Sequence, residues 1–125
     1  MSALVMGAFA VAMVPGSAQA VNWDHGPLYD RGKHAAAYFE ENGDHIKVCD
    51  TRSDGKKAWV NVSDYTTEDF LYSLTDKTND GKCSYRDASD GGRYNLPENH
   101  KIRIVVSHEP SDNSGAAEYQ YLNDH

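Results

Sequence analysis

The chain has 125 residues, room for one domain, and sets 12 Lys and Arg against 19 Asp and Glu for a formal charge of −7. That acidic balance excludes a phosphate-backbone partner, which needs a basic stripe. With 39% apolar residues the composition suits a small folded domain rather than a disordered chain.

Every Asp, Glu, Lys and Arg lies after position 20. The apolar run Ala3 to Val14, the Pro15-Gly16 break and the small-x-small end Ala18-Gln19-Ala20 have the form of a cleavable signal peptide over residues 1–20. An apolar run of about 12 residues makes roughly 18 Å of helix, short of the roughly 30 Å hydrocarbon core, so no membrane partner is expected after cleavage. A basic stretch normally precedes the apolar run, and its absence here places the expected start codon upstream of Met1.

Residues 21–34 carry turn formers without a period and read as an irregular N-terminal arm, pinned to the body by Trp23 and Tyr29. From Ala35 the period is two: Ala35, Ala37 and Phe39 alternate with Ala36, Tyr38 and Glu40. Asn42-Gly43-Asp44 turns the chain into His45–Asp50, where Ile46 and Val48 share a face and Cys49 takes the other. Cys49 therefore faces a second sheet or sits at a bulge. After the turn at Arg52–Gly55, Ala58, Val60 and Val62 oppose Trp59 and Asn61 in a third strand. Residues 35–63 are thus expected to form a three-stranded meander.

Residues 66–75 are ambiguous. Thr66-Thr67-Glu68-Asp69 resembles a helix start, whereas Phe70, Tyr72 and Leu74 alternate as in a strand, which the sheet-rich context favours. Asn79-Asp80-Gly81 turns into the short strand Lys82–Asp87. Turns at Asp90-Gly91-Gly92 and Leu96–Asn99 precede His100–His108, whose Ile102, Ile104 and Val106 point inward. A polar turn over residues 110–115 leads to Tyr119-Gln120-Tyr121-Leu122, which can close the sheet. Short strands separated by regular turns predict an all-β domain over residues 35–125, a small antiparallel β-sandwich or barrel of six to seven strands.

Cys49 and Cys83 are the only cysteines. In an exported chain such a pair reads as one intramolecular disulfide, and closing a loop of 34 positions restricts the unfolded chain by about 3.5–4 kcal/mol. Neither cysteine has the Cys-x-x-Cys partner of a redox thiol. Zinc is not expected, since His25, His34, His45, His100, His108 and His125 are scattered singly instead of holding ligand spacing.

The runs Ala37-Tyr38-Phe39, Asn42-Gly43-Asp44-His45, Val48-Cys49-Asp50, Ser53-Asp54-Gly55-Lys56-Lys57-Ala58 and, beyond Cys83, Asp87-Ala88-Ser89-Asp90-Gly91-Gly92-Arg93-Tyr94-Asn95-Leu96 resemble a group of small secreted proteins of actinobacteria such as streptomycetes. The resemblance spans most of residues 35–106. It implies an exported, disulfide-linked β-sandwich and no particular activity. Members of that group look as if they carry a further cysteine pair toward the C-terminus, which this chain lacks.

The sharpest chemical motif is Asp76 to Asp87. It sets Asp76, Thr78, Asp80 and Asp87 at ligating positions of a calcium loop, with Gly81 where such a loop turns. Asp rather than Glu at the last position and the cysteine within the loop depart from the pattern, and an Asp-Gly turn explains the same letters. No other cofactor is expected. No Gly-x-Ser-x-Gly elbow or phosphate-binding glycine loop occurs, and a glycosidase-type carboxylate pair cannot be read from spacing. Eight tyrosines and two tryptophans allow an aromatic binding face, with Tyr85, Tyr94, Tyr119 and Tyr121 as its candidates. The sequence therefore leads to a secreted, non-enzymatic domain that binds an extracellular protein or glycan. A protease inhibitor presenting Asp87–Asn95, a calcium-binding module and a small hydrolase are the alternatives.

Overall fold

In the computed structural model, residues 21–52, 55–77, 82–109 and 115–125 are described; the signal-like residues 1–20 lie outside them. The period-two segments become strands β1 (His25–Tyr29), β2 (Ala35–Glu40), β3 (His45–Asp50), β4 (Ala58–Asp64), β5 (Asp69–Asp76), β6 (Ser84–Arg86), β7 (His100–His108) and β8 (Ala117–Asn123). They pair antiparallel in two four-stranded sheets, β1-β2-β3-β6 and β5-β4-β7-β8. The expected all-β sandwich is present, with one strand more than the six to seven read from the sequence.

Its core is what alternation demands. Ala35, Ala37, Phe39, Ile46 and Val48 of the first sheet face Val60, Val62, Ile102, Ile104 and Val106 of the second, all fully buried, with Tyr72 and Leu74 completing the layer. The ambiguous segment is a strand, as preferred, but Phe70 is 54% exposed. The β4–β5 register slips between Val62 and Ser63, with Val62 opposite Tyr72 and Ser63 opposite Phe70, so Leu71 is the extra residue of a bulge.

Three expectations need correction. Residues 21–34 are not wholly irregular: they contribute edge strand β1, whose pattern is masked by Gly26-Pro27 and a register shift between His25 and Leu28. Residues 35–63 are not one meander, because the chain leaves the first sheet after β3 and β4 belongs to the second. Both sheets turn their apolar side inward, so alternation looks the same whether successive strands share a sheet or face each other. Cys49 lies on the outer face of an unbulged β3 and bonds Cys83, just before β6, at a Cα–Cα distance of 4.5 Å. The bridge is a cross-strand tie within one sheet, continuing the Val48–Ser84 pair. No helix among the described residues is long and apolar enough to cross a membrane.

Candidate functional site

Strand register builds one candidate surface. Tyr38 of β2 pairs with Lys47 of β3, which pairs with Tyr85 of β6, so the three stand in a row across the outer face of the first sheet. Trp23, just before β1, lies against that row, its ring centroid 5.9 Å from Tyr38 and 6.2 Å from both Tyr85 and His45. The Lys47 ammonium sits 4.9 Å from the Trp23 ring and 4.6 Å from the Tyr38 ring, within cation–π range. Gly26 lets β1 come this close: a Cβ there would lie 2.5 Å from Tyr38 Cδ2, and its φ of +139° is one L side chains rarely adopt.

At the rim the Tyr85 hydroxyl donates to Asp87 Oδ2 at 2.7 Å and contacts His45 Nδ1. Asp87 also caps the short turn Ala88–Asp90, accepting from the Ser89 amide at 2.9 Å, while Asp90 accepts from the Asp87 amide at 2.9 Å. Burial works to raise the Asp87 carboxyl, but its bonds from Ser89 and Tyr85 outweigh it and hold the group below the usual carboxylate range. Burial and that same carboxylate push the Tyr85 phenol up. Tyr85 is therefore a fixed neutral donor and Asp87 a fixed ionised acceptor.

A second cluster lies where the β1–β2 turn meets the end of β7. The Asp30 side chain is fully buried; its Oδ1 accepts from the amides of His34 at 2.8 Å and Ala35 at 3.0 Å, and its Oδ2 is 2.5 Å from His108 Nδ1. His34 stacks on His108 with ring centroids 4.0 Å apart and planes 22° from parallel. The turn is tied down on three sides, by Arg31 N to Gly115 O, Arg52 Nη2 to Gly32 O and Thr51 Oγ1 to Lys33 O. Among the described residues, five of the six histidine rings pair with a carboxylate. His34 is the exception, and its Nδ1 is buried without a hydrogen-bond partner.

Acidic groups gather at Asp24, Glu40 and Glu41, where the Asp24 amide donates to Glu40 Oε1 at 3.2 Å. Burial first, then Asp24, raises the Glu40 carboxyl, and the bond with Glu40 lowers that of Asp24. The groove of about 290 Å³ between β5 and β6 is lined by Ser73, Leu74, Thr75, Ser84, Tyr85 and Arg86, away from this pair.

Among the described residues, those singled out from the sequence are dispersed. Of the calcium set, Thr78 and Asp80 lie outside the described residues. Asp76 accepts from the Asp50 amide at the end of β3, whereas Asp87 bonds Tyr85 beside His45 at its start, so the first and last ligands do not converge as a calcium loop requires. The four tyrosines do not share a face either. Tyr94 packs edge-on against Tyr72 at 4.6 Å, Tyr119 donates to Tyr29 O at 2.6 Å, and Tyr121 stacks on His25 at 3.7 Å, closing the side of the sandwich between β8 and β1. Tyr85 alone of the four joins the outer-face row. Asp87–Asn95 is folded into two 3-10 turns, with Arg93 held by Phe70 O at 2.6 Å.

Sequence reasoning missed Trp23, Tyr38 and Lys47 as a unit, and it set His34 and His108 aside as single histidines without linking them to Asp30. The first signal was available: a hairpin turned at Asn42-Gly43 sets Tyr38 opposite Lys47. The second was not, since Asp30 and His108 are 78 positions apart. No family model matches this chain, and no curated protein or solved structure does either. Fold and bridge alone define its class, a small disulfide-linked β-sandwich domain.

Proposed function

We propose that the chain is an exported, non-enzymatic recognition domain that binds a glycan on the outer face of the first sheet. The observation that carries this reading is the row Tyr38–Lys47–Tyr85 with Trp23 against it. Rings offer apolar area to the C–H faces of a sugar, while Lys47, His45, the Tyr85 hydroxyl and the Asp87 carboxylate are hydrogen-bonding groups at fixed positions for its hydroxyls. A protein partner is less well served. A stable protein interface takes roughly 800 Å² per partner around an apolar core, and this patch is a few rings surrounded by polar groups. Export is supported by the form of residues 1–20 and by a bridge that persists only in oxidising surroundings.

Affinity electrophoresis of the secreted protein through gels cast with soluble β-glucan, xylan, mannan or glycol chitin tests the reading. At least one polysaccharide is expected to retard it, and Trp23→Ala should weaken that retardation by about tenfold or more with an unchanged circular dichroism spectrum. Free migration in every gel, or equal retardation of Trp23→Ala, overturns it.

A further inference from the structure

We propose that Asp30, His34 and His108 form a binding site for a divalent transition-metal ion of the zinc class, at the end of the sandwich and separate from the aromatic face. Each residue offers one ligand atom, and the three atoms lie within 4.8 Å of one another. Two imidazole nitrogens with one carboxylate oxygen are the donor set of zinc and its neighbours; calcium and magnesium take oxygen cages. Metal–ligand bonds of about 2.0–2.2 Å ask for ligand atoms roughly 3–3.5 Å apart, so the two rings must turn out of their near-parallel stack for both nitrogens to reach one ion.

Three further features point to a ligand rather than to a plain ion pair. Asp30 is oriented in advance, because the His34 and Ala35 amides hold Oδ1 and leave Oδ2 to the cluster, the outer-shell arrangement that fixes metal-binding carboxylates. A buried imidazole nitrogen lacking a partner costs about 1–3 kcal/mol, and His34 Nδ1 is such a nitrogen, which a metal bond would satisfy. Gly32 stands beside that nitrogen: any Cβ at position 32 would come within 2.9 Å of His34 Nδ1 and 2.8 Å of Cε1. The glycine thus spares the ring edge the crowding that any side chain at position 32 would bring.

The exchange balances simply. The hydrogen bond between His108 Nδ1 and Asp30 Oδ2 gives way to two bonds to the ion, and the proton it holds goes to solvent. The His108 side chain is 15% exposed, which leaves a path for the ion and for water to fill the remaining coordination positions. Among the described residues, neither of the other two such groupings has this donor set. Glu41–Asp124–His125 has a single imidazole on the exposed C-terminal residue, and Asp24–Glu40–Glu41 has none.

Calorimetric titration of the untagged secreted chain with ZnCl₂ tests the site, with Co²⁺ absorption as a direct reading of coordination. One ion per chain with a Kd at or below about 10 µM is expected, together with ligand-field bands on adding Co²⁺. His34→Phe retains a stacked ring but no Nδ1, and should weaken zinc at least about tenfold and remove the Co²⁺ bands, whereas His125→Ala should bind like the wild type. No heat at about 100 µM zinc, undiminished binding by His34→Phe, or equal stabilisation by Ca²⁺ overturns the proposal.

Discussion

The aromatic face and the Asp30–His34–His108 cluster differ in what assembles them. Tyr38, Lys47 and Tyr85 are neighbours because three strands of one sheet are in register, so hydrogen bonding within that sheet places them. Asp30, in the turn that follows β1 of the first sheet, and His108, at the end of β7 of the second, meet only because the sheets stack, which sets the β1–β2 turn over the end of β7. A surface made by register tolerates side-chain change, since its geometry is held by the backbone. A cluster made by stacking depends on each buried charge finding its partner. The two regions should therefore fail under different perturbations.

The largest effect is expected at the cluster. Asp30→Ala leaves the His108 imidazole without its carboxylate and the His34 and Ala35 amides without their acceptor, and should cost about 3–5 kcal/mol in urea unfolding. A loss below about 1 kcal/mol would show that the turn is held by the bonds of Arg31, Thr51 and Arg52 without Asp30.

Next comes the bridge, which acts on the face. The paired change Cys49→Ser and Cys83→Ser should cost about 3.5–4 kcal/mol in the chain-entropy account. It should also loosen β6, a three-residue edge strand paired to β3 alone, and with it Tyr85. Hydrogen exchange is the measurement: protection should fall most over Ser84–Arg86, and an even loss across both sheets would show that the bridge does not act on the face in particular.

The smallest effect concerns Asp44, in the turn that sets the register of the face. Its Oδ2 accepts from the Leu96 amide at 2.9 Å, while Oδ1 is buried without a partner, as is the oxygen of neighbouring Asn123. Burial raises the Asp44 carboxyl despite the bond from Leu96 and the opposing pull of Asn123. A raised folded-state value means that its contribution to stability is intact in acid and lost as pH rises through that value. Asp44→Asn keeps a residue suited to the positive φ of 56° and carries no charge for burial to penalise. Stability at pH 7 should hold or rise by up to about 1 kcal/mol, and the gain should vanish below roughly pH 4. Thermal melts across that range decide it, and a gain that persists in acid contradicts the burial argument.

Much of this molecule was legible in its letters. Alternation at Ala35–Glu40, His45–Asp50, Ala58–Asp64 and His100–His108 marked the strands and the residues they bury, because side chains on a pleated strand change sides at every step. Two cysteines in an otherwise exported pattern indicated the bridge. Alternation says which side of a strand is apolar but not which sheet that side closes against, so the crossing after β3 was invisible, as was β1 behind Gly26-Pro27. The dispersal of the four tyrosines and the meeting of Asp30, His34 and His108 were settled only when the two sheets came together. Contacts between sheets depend on how far each strand slides and how the layers stack, and no local period encodes either.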